Sequence, residues 1–285
     1  MRLVVDTPRG FGPAPGIGHV PPVSERRFIR LSDAGAEPEA GAVAEEVPAA
    51  FVYSGKPHVV MMCSPADLED LAVGFTLTEE IVSGLDKIGL IEVERHSRGV
   101  EIRVEIPQDA ADRLAARTRA LAGRSGCGLC GVEAIDDAVR APRFVASSLR
   151  VQADAVWRAG AALEQHQPMN RDTRAVHAAA WATDDGTLRV IREDIGRHNA
   201  LDKVLGALAR SHVDAANGFL IVTSRASFEL VQKAAVVGVA LMAAVSRPTG
   251  LAIRIADAAG ITLVGLLRGR SANVYSHPER IRAGP

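Results

Sequence analysis

The sequence has few cysteines, few aromatic residues, almost no net charge and no long hydrophobic run, and each shortage excludes a class of protein. Only 4% of the 285 residues are aromatic, so the core must consist mainly of Ala, Val, Leu and Ile, which suits buried strands packed against helices. The formal net charge of -1 gives no general attraction to a nucleic-acid backbone. The most apolar stretch, residues 234–245, is too short to span a bilayer. We therefore expect a globular protein whose partners are neither nucleic acids nor membranes.

The number of cysteines bears on the redox state of the compartment in which the protein is found. The chain has three cysteines, an odd number, and its N-terminus lacks the basic start and apolar block of a secretory signal. This pattern argues for free thiols in a reducing compartment rather than for a disulfide framework. The protein is predicted to be cytoplasmic.

Composition and hydrophobic patterning divide the first half of the chain into three regions. Residues 1–45 are rich in Pro, Gly, Ala and acidic residues, cannot bury enough apolar surface to fold alone, and are predicted to be a mobile tail. A strand is expected there only near residues 26–31. Residues 46–107 contain two hairpin patterns around a helix and predict a small α+β domain. Residues 108–150 are predicted to form a helix and a cysteine-containing linker loop.

Residues 151–285 alternate between apolar strands and helices. This alternation favours a parallel sheet covered by helices on both faces. The predicted fold class is therefore α/β: the small α+β domain is followed by an α/β domain with a largely parallel sheet. At a finer level, Ser64 and Asp67 are predicted to form a capping box at the start of the small domain's helix.

Two cysteines lie in the glycine-rich stretch RSGCGLCG, residues 124–131. A structural zinc site needs four ligands, usually in two pairs, but Cys63 stands alone and no second pair is present. Cys127 and Cys130 therefore fit either a redox dithiol or a thiolate that carries a second sulfur atom as a persulfide. Arg124 would favour the thiolate. The residues themselves leave both alternatives open.

Polar residues follow the predicted strands of the second domain at three points. The strand ends near residues 194, 223 and 268 are each followed by a polar turn, and an α/β sheet usually binds its ligand at such carboxyl ends. Helix N-termini and arginines there suit a phosphate, although simple helix capping would produce similar patterns. No dinucleotide fingerprint or P-loop is present. The candidate residues in these turns are Asp194, Arg197, His198, Asn199, Ser224, Arg225, Ser227, Arg268, Gly269 and Arg270.

Taken together, six motifs resemble the FdhD/NarQ family of accessory proteins required for active formate dehydrogenase. The resemblance covers roughly residues 45–280, and its most specific part is the REDIGRHNALDK block. The motifs are GCGLCG, VHAAAW, REDIGRHNALDKVLG, TSRASFELVQKA, SRPTGLA and GITLVGLLRGRSANVY. The resemblance implies a C-terminal domain similar to cytidine deaminases but without their zinc machinery.

The resemblance also implies a function. Family members receive sulfur from a cysteine desulfurase as a persulfide and pass it to the molybdenum bis-guanine-dinucleotide cofactor destined for formate dehydrogenase. By motif, Cys127 matches the persulfide cysteine and Cys130 its partner. The residues that match the family's cofactor-binding stretch are Leu266, Leu267, Arg268, Gly269, Arg270 and Ser271. Asp194, Arg197, His198, Asn199 and Arg225 are further candidate contacts.

The resemblance further implies a homodimer that binds GDP or GMP as an analogue of the cofactor. One departure from the family pattern is the pair Arg174-Ala175 before VHAA, where glycines are usual. Two other functions stay open: a thiol/disulfide redox switch, and a chaperone that binds the guanine cofactor without transferring sulfur.

Overall fold

The structure is a computed structural model that describes residues 16–122 and 141–284. The predicted cysteine loop, with Cys127 and Cys130, lies outside the described residues, as do residues 1–15.

The N-terminal region forms a long hairpin. Strand β1 (Val23–Ser32) pairs with β2 (Gly35–Ala44) in antiparallel register along its whole length. The strand expected near residues 26–31 is confirmed as part of β1, and the sequence did not indicate its partner β2. The mobility of residues 1–45 stays a prediction. A prediction from composition considers only the apolar surface that a segment can bury. This hairpin is held instead by backbone hydrogen bonds and by cross-strand ion pairs such as Arg30–Glu39.

The small domain has a four-stranded sheet in the order β4–β3–β6–β5. Its strands are β3 (Val47–Tyr53), β4 (Lys56–Cys63), β5 (Ile91–His96) and β6 (Gly99–Val104), and its helices are α1 (Leu68–Thr78) and α2 (Gln108–Ala122). Both predicted hairpins, β3–β4 and β5–β6, are confirmed. The two hairpins join through the parallel pair β3–β6.

The predicted capping box at α1 is wrong. The helix begins at Leu68, and Asp67 precedes it in a left-handed conformation without a capping hydrogen bond. The Ser64 hydroxyl instead accepts a hydrogen bond from the backbone N–H of Ile195, at 3.1 Å. Ser64 is therefore used to link the two domains rather than to start a helix.

The second domain contains a six-stranded sheet in the order β13–β12–β11–β10–β8–β9. Its strands are β8 (His177–Thr183), β9 (Leu188–Asp194), β10 (Gly218–Val222), β11 (Leu241–Ala244), β12 (Thr262–Arg268) and β13 (Ser271–Ser276). Two short strands, β7 (Val151–Gln152) and β14 (Ile281–Arg282), pair separately in parallel. The helices are α3 (Ala153–Gln165), α4 (Pro168–Thr173), α5 (Arg197–Arg210), α6 (Phe228–Val236) and α7 (Gly250–Ala258).

The α/β class is confirmed, and the six-stranded sheet is mixed rather than largely parallel. The central strands β10, β11 and β12 are parallel, whereas β8, β9 and β13 each join the sheet in antiparallel pairs. Two of these three antiparallel pairs follow from the length of their connections: β8–β9 and β12–β13 are joined by tight turns, which permit only antiparallel pairing. Helices cover both faces, as predicted, with α5, α6 and α7 on one side and α3 on the other.

The two domains touch where α1 crosses α5. A β-carbon added to Gly74 would lie 1.8 Å from the Asp202 carbonyl oxygen, and one added to Gly206 would lie 1.9 Å from the Asp70 carbonyl oxygen. The two helix backbones are therefore in direct contact, which only glycine allows. Within the described ranges, none of the helices is both long and apolar enough to cross a membrane.

A buried charged cluster lies beside this crossing. The Lys233 ammonium donates to both carboxylate oxygens of Asp202, at 2.9 and 3.0 Å, and to Thr78 and Glu79 of the small domain. Burial opposes the charge on Lys233, but the carboxylates of Asp202 and Glu79 outweigh it and raise the pKa of the lysine. The cluster therefore links α6 to α5 in its own domain and to the end of α1 in the small domain.

Candidate ligand site at the carboxyl edge of the sheet

One edge of the six-stranded sheet gathers the turns that the sequence singled out. Strands β10, β11 and β12 end at this edge, and β9 ends there too because it runs antiparallel to β8, which is itself antiparallel to β10. Strands β8 and β13 begin at the same edge. The residues that we predicted after β9, β10 and β12 therefore lie along one edge, as the topology of α/β sheets requires.

A cavity of about 390 Å³ opens at this edge between α3, α4 and the β12–β13 turn. Its volume lies within the range of pockets that hold small molecules, roughly 300–1,000 Å³. Three residues of the predicted cofactor-binding stretch line it: Leu267, Arg268 and Gly269. The other side is lined by residues that the sequence did not indicate, including Gly160, Glu164, Gln167 and Asn170.

The six predicted residues in and around the β12–β13 turn have different environments. Leu266 and Gly269 both have left-handed backbones, with φ of 55°, and between them Leu267 is buried while Arg268 is exposed. The guanidinium of Arg270 stacks on the Trp157 ring, 4.6 Å from its centroid, and pairs with Asp154 at 2.8 Å. Arg268 therefore faces the cavity, whereas Arg270 is held against α3. Ser271 pairs with Arg268 across the turn.

Asp194 and Asn199 are buried and hydrogen-bonded to groups of the protein itself. The Asp194 carboxylate is fully buried and lies 2.6 Å from the Lys203 ammonium. It also accepts hydrogen bonds from the backbone N–H groups of Ser64 and Gly196 and from the Asn199 amide. The two predicted contact residues therefore hold the start of α5 against the end of β4, which is a positioning role.

Arg197 and His198 lie in the first turn of α5, close to His177 at the start of β8. The His198 ring contacts the Glu229 carboxylate of α6 at 3.4 Å. Partial burial lowers the pKa of His177 and of His198, and the nearby Arg197 lowers both further. The pair of imidazoles is therefore biased toward the neutral form. Arg225, after β10, is exposed.

The backbone of α4 is anchored by Glu193, which the sequence analysis missed. The Glu193 carboxylate accepts hydrogen bonds from the backbone N–H groups of Met169 and Asn170, at 2.9 and 2.8 Å. The Asn170 amide also donates to Gln167, at 3.3 Å. Pro168 at the first helical position is the local signal for this helix. The carboxylate of the REDIG motif that fixes the cavity wall is therefore Glu193, next to the predicted Asp194.

Cys63 is fully buried at the end of β4, as expected for a small apolar side chain. Burial, assisted by the Asp194 carboxylate, raises the pKa of its thiol to about 12. The thiol is therefore protonated and inert at neutral pH.

Comparison with known proteins agrees with the motifs. Residues 44–282 match the model of the FdhD/NarQ family. The chain is 50% identical over 242 residues to the sulfur carrier protein FdhD of Xanthomonas axonopodis pv. citri, covering 85% of this chain and 86% of that protein. It is 47% identical over 257 residues to the protein of the same name from Bordetella petrii, covering 90% and 92%.

The fold also has a solved counterpart. A crystal structure assigned as a formate dehydrogenase accessory protein from Desulfotalea psychrophila superposes with a TM-score of 0.74 at 23% identity, covering 92% of this chain and 100% of that one. The family model spans both domains, the α1–α5 crossing and the cavity at the carboxyl edge. This chain is a member of the FdhD/NarQ family.

Proposed function

We propose that the protein is a sulfur carrier for the maturation of formate dehydrogenase. The observation that carries this proposal is the 50% identity to a protein named as a sulfur carrier, extending over 85% of the chain. Cys127 and Cys130 lie within the region matched by the family model. The substrates would be a cysteine desulfurase persulfide and the molybdenum bis-guanine-dinucleotide cofactor.

In the loading step, the Cys127 thiolate attacks the terminal sulfur of the desulfurase persulfide. A sulfur–sulfur bond forms on Cys127 as the corresponding bond on the desulfurase breaks, and the desulfurase leaves as a thiolate. No net oxidation occurs, because one persulfide replaces another. Arg124, three residues before Cys127, would stabilise the attacking thiolate.

In the release step, sulfur leaves as hydrosulfide and two electrons are needed. The Cys130 thiolate supplies them by attacking the inner sulfur of the persulfide, so that a Cys127–Cys130 disulfide forms as hydrosulfide departs toward the cofactor. A cellular dithiol then reduces the disulfide. This sequence gives each cysteine of the pair a separate task.

The carboxyl edge supports the second half of the proposal, which is binding of the guanine cofactor. Arg268 at the cavity and the exposed Arg225 and Arg247 bring positive charge to one edge of the sheet. Guanidinium groups bind phosphates through two parallel hydrogen bonds. Asp194 and Asn199 would act through the placement of α5, not by contact. The homodimer and the cytoplasmic location remain predictions.

The test is the intact mass of the protein after incubation with a cysteine desulfurase and cysteine, without added reductant. Wild type and the Cys130→Ala variant should gain the mass of one sulfur atom, and Cys127→Ala should not. Cys63→Ala is the matched control and should load normally. The informative variant is Cys130→Ala, which cannot form the disulfide of the release step and should therefore retain the added sulfur. Absence of a sulfur gain in Cys130→Ala, with loss of two hydrogens in wild type, would contradict the proposal and indicate a redox dithiol.

A further inference from the structure

Glu164, on the last turn of α3, is the one carboxylate among the described residues that line the 390 Å³ cavity. Arg268 is the one cation among them. Both side chains belong to exposed residues and they form no salt bridge with each other. Because the two charged groups line one cavity and do not pair with each other, both can form hydrogen bonds to a ligand that lies between them.

The remaining wall of the cavity is built with defined geometry. The Asn170 amide is held by Gln167, whose own amide donates to the Leu163 carbonyl oxygen at 2.8 Å. The Glu193 carboxylate accepts a hydrogen bond from the backbone N–H of Asn170 and so fixes the position of that backbone. A β-carbon on Gly160 would lie 2.8 Å from the Leu267 side chain, so α3 and the β12–β13 turn approach closely. Leu267 thus gives the cavity an apolar surface against which a flat ring can pack.

This set of groups matches the hydrogen-bonding pattern of guanine. Guanine carries adjacent N–H donors at N1 and N2, and acceptors at O6 and N7. A carboxylate has only acceptors and can take both donors, while a guanidinium can donate to O6 and N7. Adenine presents an acceptor at N1 and carries no amino group at C2, so it would leave the carboxylate of Glu164 without a partner.

We infer that Glu164 is the residue that selects guanine, by accepting hydrogen bonds from N1–H and N2–H₂ of the base in this cavity. The inference rests on the proposed function, since it identifies how the guanine part of the substrate is read. It places the base between α3 and the β12–β13 turn, with Arg268 beside O6 and N7, and directs the phosphates toward Arg225 and Arg247 along the edge.

The test uses the full-length protein and three nucleotides: GDP, inosine diphosphate, which lacks the N2 amino group, and xanthosine diphosphate, which has a carbonyl oxygen there. Affinities are measured by titration calorimetry for wild type and for Glu164→Gln. Wild type should bind GDP most tightly and discriminate against xanthosine diphosphate, whose oxygen would face the carboxylate. In Glu164→Gln the affinity for GDP should fall by about 10- to 100-fold, the range expected for a lost charge-assisted hydrogen bond.

The same variant should gain affinity for xanthosine diphosphate, because the new amide N–H can donate to its carbonyl oxygen. A merely structural role of Glu164 would lower the affinity for all three nucleotides together, so the reversal of preference is the decisive result. Asp184→Asn, an exposed carboxylate in the β8–β9 turn at the opposite edge, is the matched control and should leave all affinities unchanged.

The inference is overturned if Glu164→Gln keeps the preference for GDP, or if wild type binds none of the three nucleotides. Sulfur loading of Cys127, measured by mass on the same preparations, is independent of the base. Normal loading with an unchanged preference would overturn the role of Glu164 alone, whereas absence of loading would overturn the proposed function.

Discussion

The Lys203 ammonium lies 2.6 Å from a carboxylate oxygen of Asp194, and both side chains are completely shielded from solvent. Each partner is also hydrogen-bonded to the end of β4: the lysine to the Ser64 carbonyl oxygen and the aspartate to the Ser64 N–H. A buried ion pair that is satisfied in this way fixes one arrangement of two elements. Here it fixes α5, and with it the turn that carries Arg197 and His198, against the small domain.

Removing the lysine should therefore destabilise the fold strongly. Lys203→Met leaves the Asp194 carboxylate buried without its counter-ion, and the free energy of unfolding should fall by about 3–5 kcal/mol. Urea denaturation followed by circular dichroism measures the change. Lys87→Met is the control, because the Lys87 side chain is 51% exposed, and its effect should stay below about 1 kcal/mol. Equal effects of the two substitutions would contradict a structural role for the pair.

The crossing of α1 and α5 gives a second prediction. A methyl group at position 206 would overlap the Asp70 carbonyl oxygen, so Gly206→Ala should force the helices apart and lower the free energy of unfolding by about 1–3 kcal/mol or more. Thermal and urea unfolding measure the loss. Gly250→Ala, where the nearest atom would be 3.7 Å away on Arg254, is the control. A gain in stability for Gly206→Ala, as helix propensity alone would give, would show that the helices do not touch.

The two histidines predict a pH dependence. The folded pKa values of His177 and His198 lie below the ordinary value, chiefly because of burial and then because of Arg197, while Glu229 partly opposes this at His198. Between the lowered folded pKa and the unfolded value of about 6.5, the unfolded chain binds more protons. Stability should therefore rise with pH through this window and be lost as the pH falls through it.

The measurement is the urea midpoint from about pH 5.5 to 7.5, a range that brackets the ordinary histidine pKa. The slope should be smaller in the double variant His177→Gln/His198→Gln than in wild type, and the difference between the two isolates the histidines from the other titrating groups. The same exchange at the exposed His212, His212→Gln, controls for the substitution itself. Identical slopes in wild type and the double variant would contradict the lowered pKa values of His177 and His198.

The two arginines of the β12–β13 turn should differ in their effect on nucleotide binding. Arg268 lines the cavity, whereas Arg270 is held by Trp157 and Asp154. Arg268→Ala should weaken GDP binding by about 10-fold or more, the expected cost of a hydrogen bond to a charged group, and Arg270→Ala should weaken it less. Calorimetric titration with GDP measures both, and Arg189→Ala at the opposite edge is the control. A larger loss for Arg270→Ala would place the ligand beside Trp157 and Asp154 rather than in the cavity.

Most of the local elements, and the order in which they follow one another, could be predicted from the amino-acid sequence. The two hairpins of the small domain, the alternation of strands and helices after residue 151 and the polar turns after β9, β10 and β12 are all found where periodicity and turn residues indicated them. These features depend on neighbouring residues, and period-2 or helical patterns express them directly. The motifs also identified the family.

Long-range packing, by contrast, settled which polar residues line the cavity and which are buried. Asp194 and Asn199 read as contacts in the sequence because charged groups are usually exposed, yet both are buried by partners far along the chain: Ser64 lies 130 residues from Asp194. Glu164, Gln167 and Asn170 reach the cavity only because α3 and α4 pack beside the β12–β13 turn. Burying a charge is unfavourable unless a partner compensates for it. Local sequence patterns do not indicate which distant residue will pack against a charged group and compensate its burial. The roles of these residues therefore became clear only from the fold.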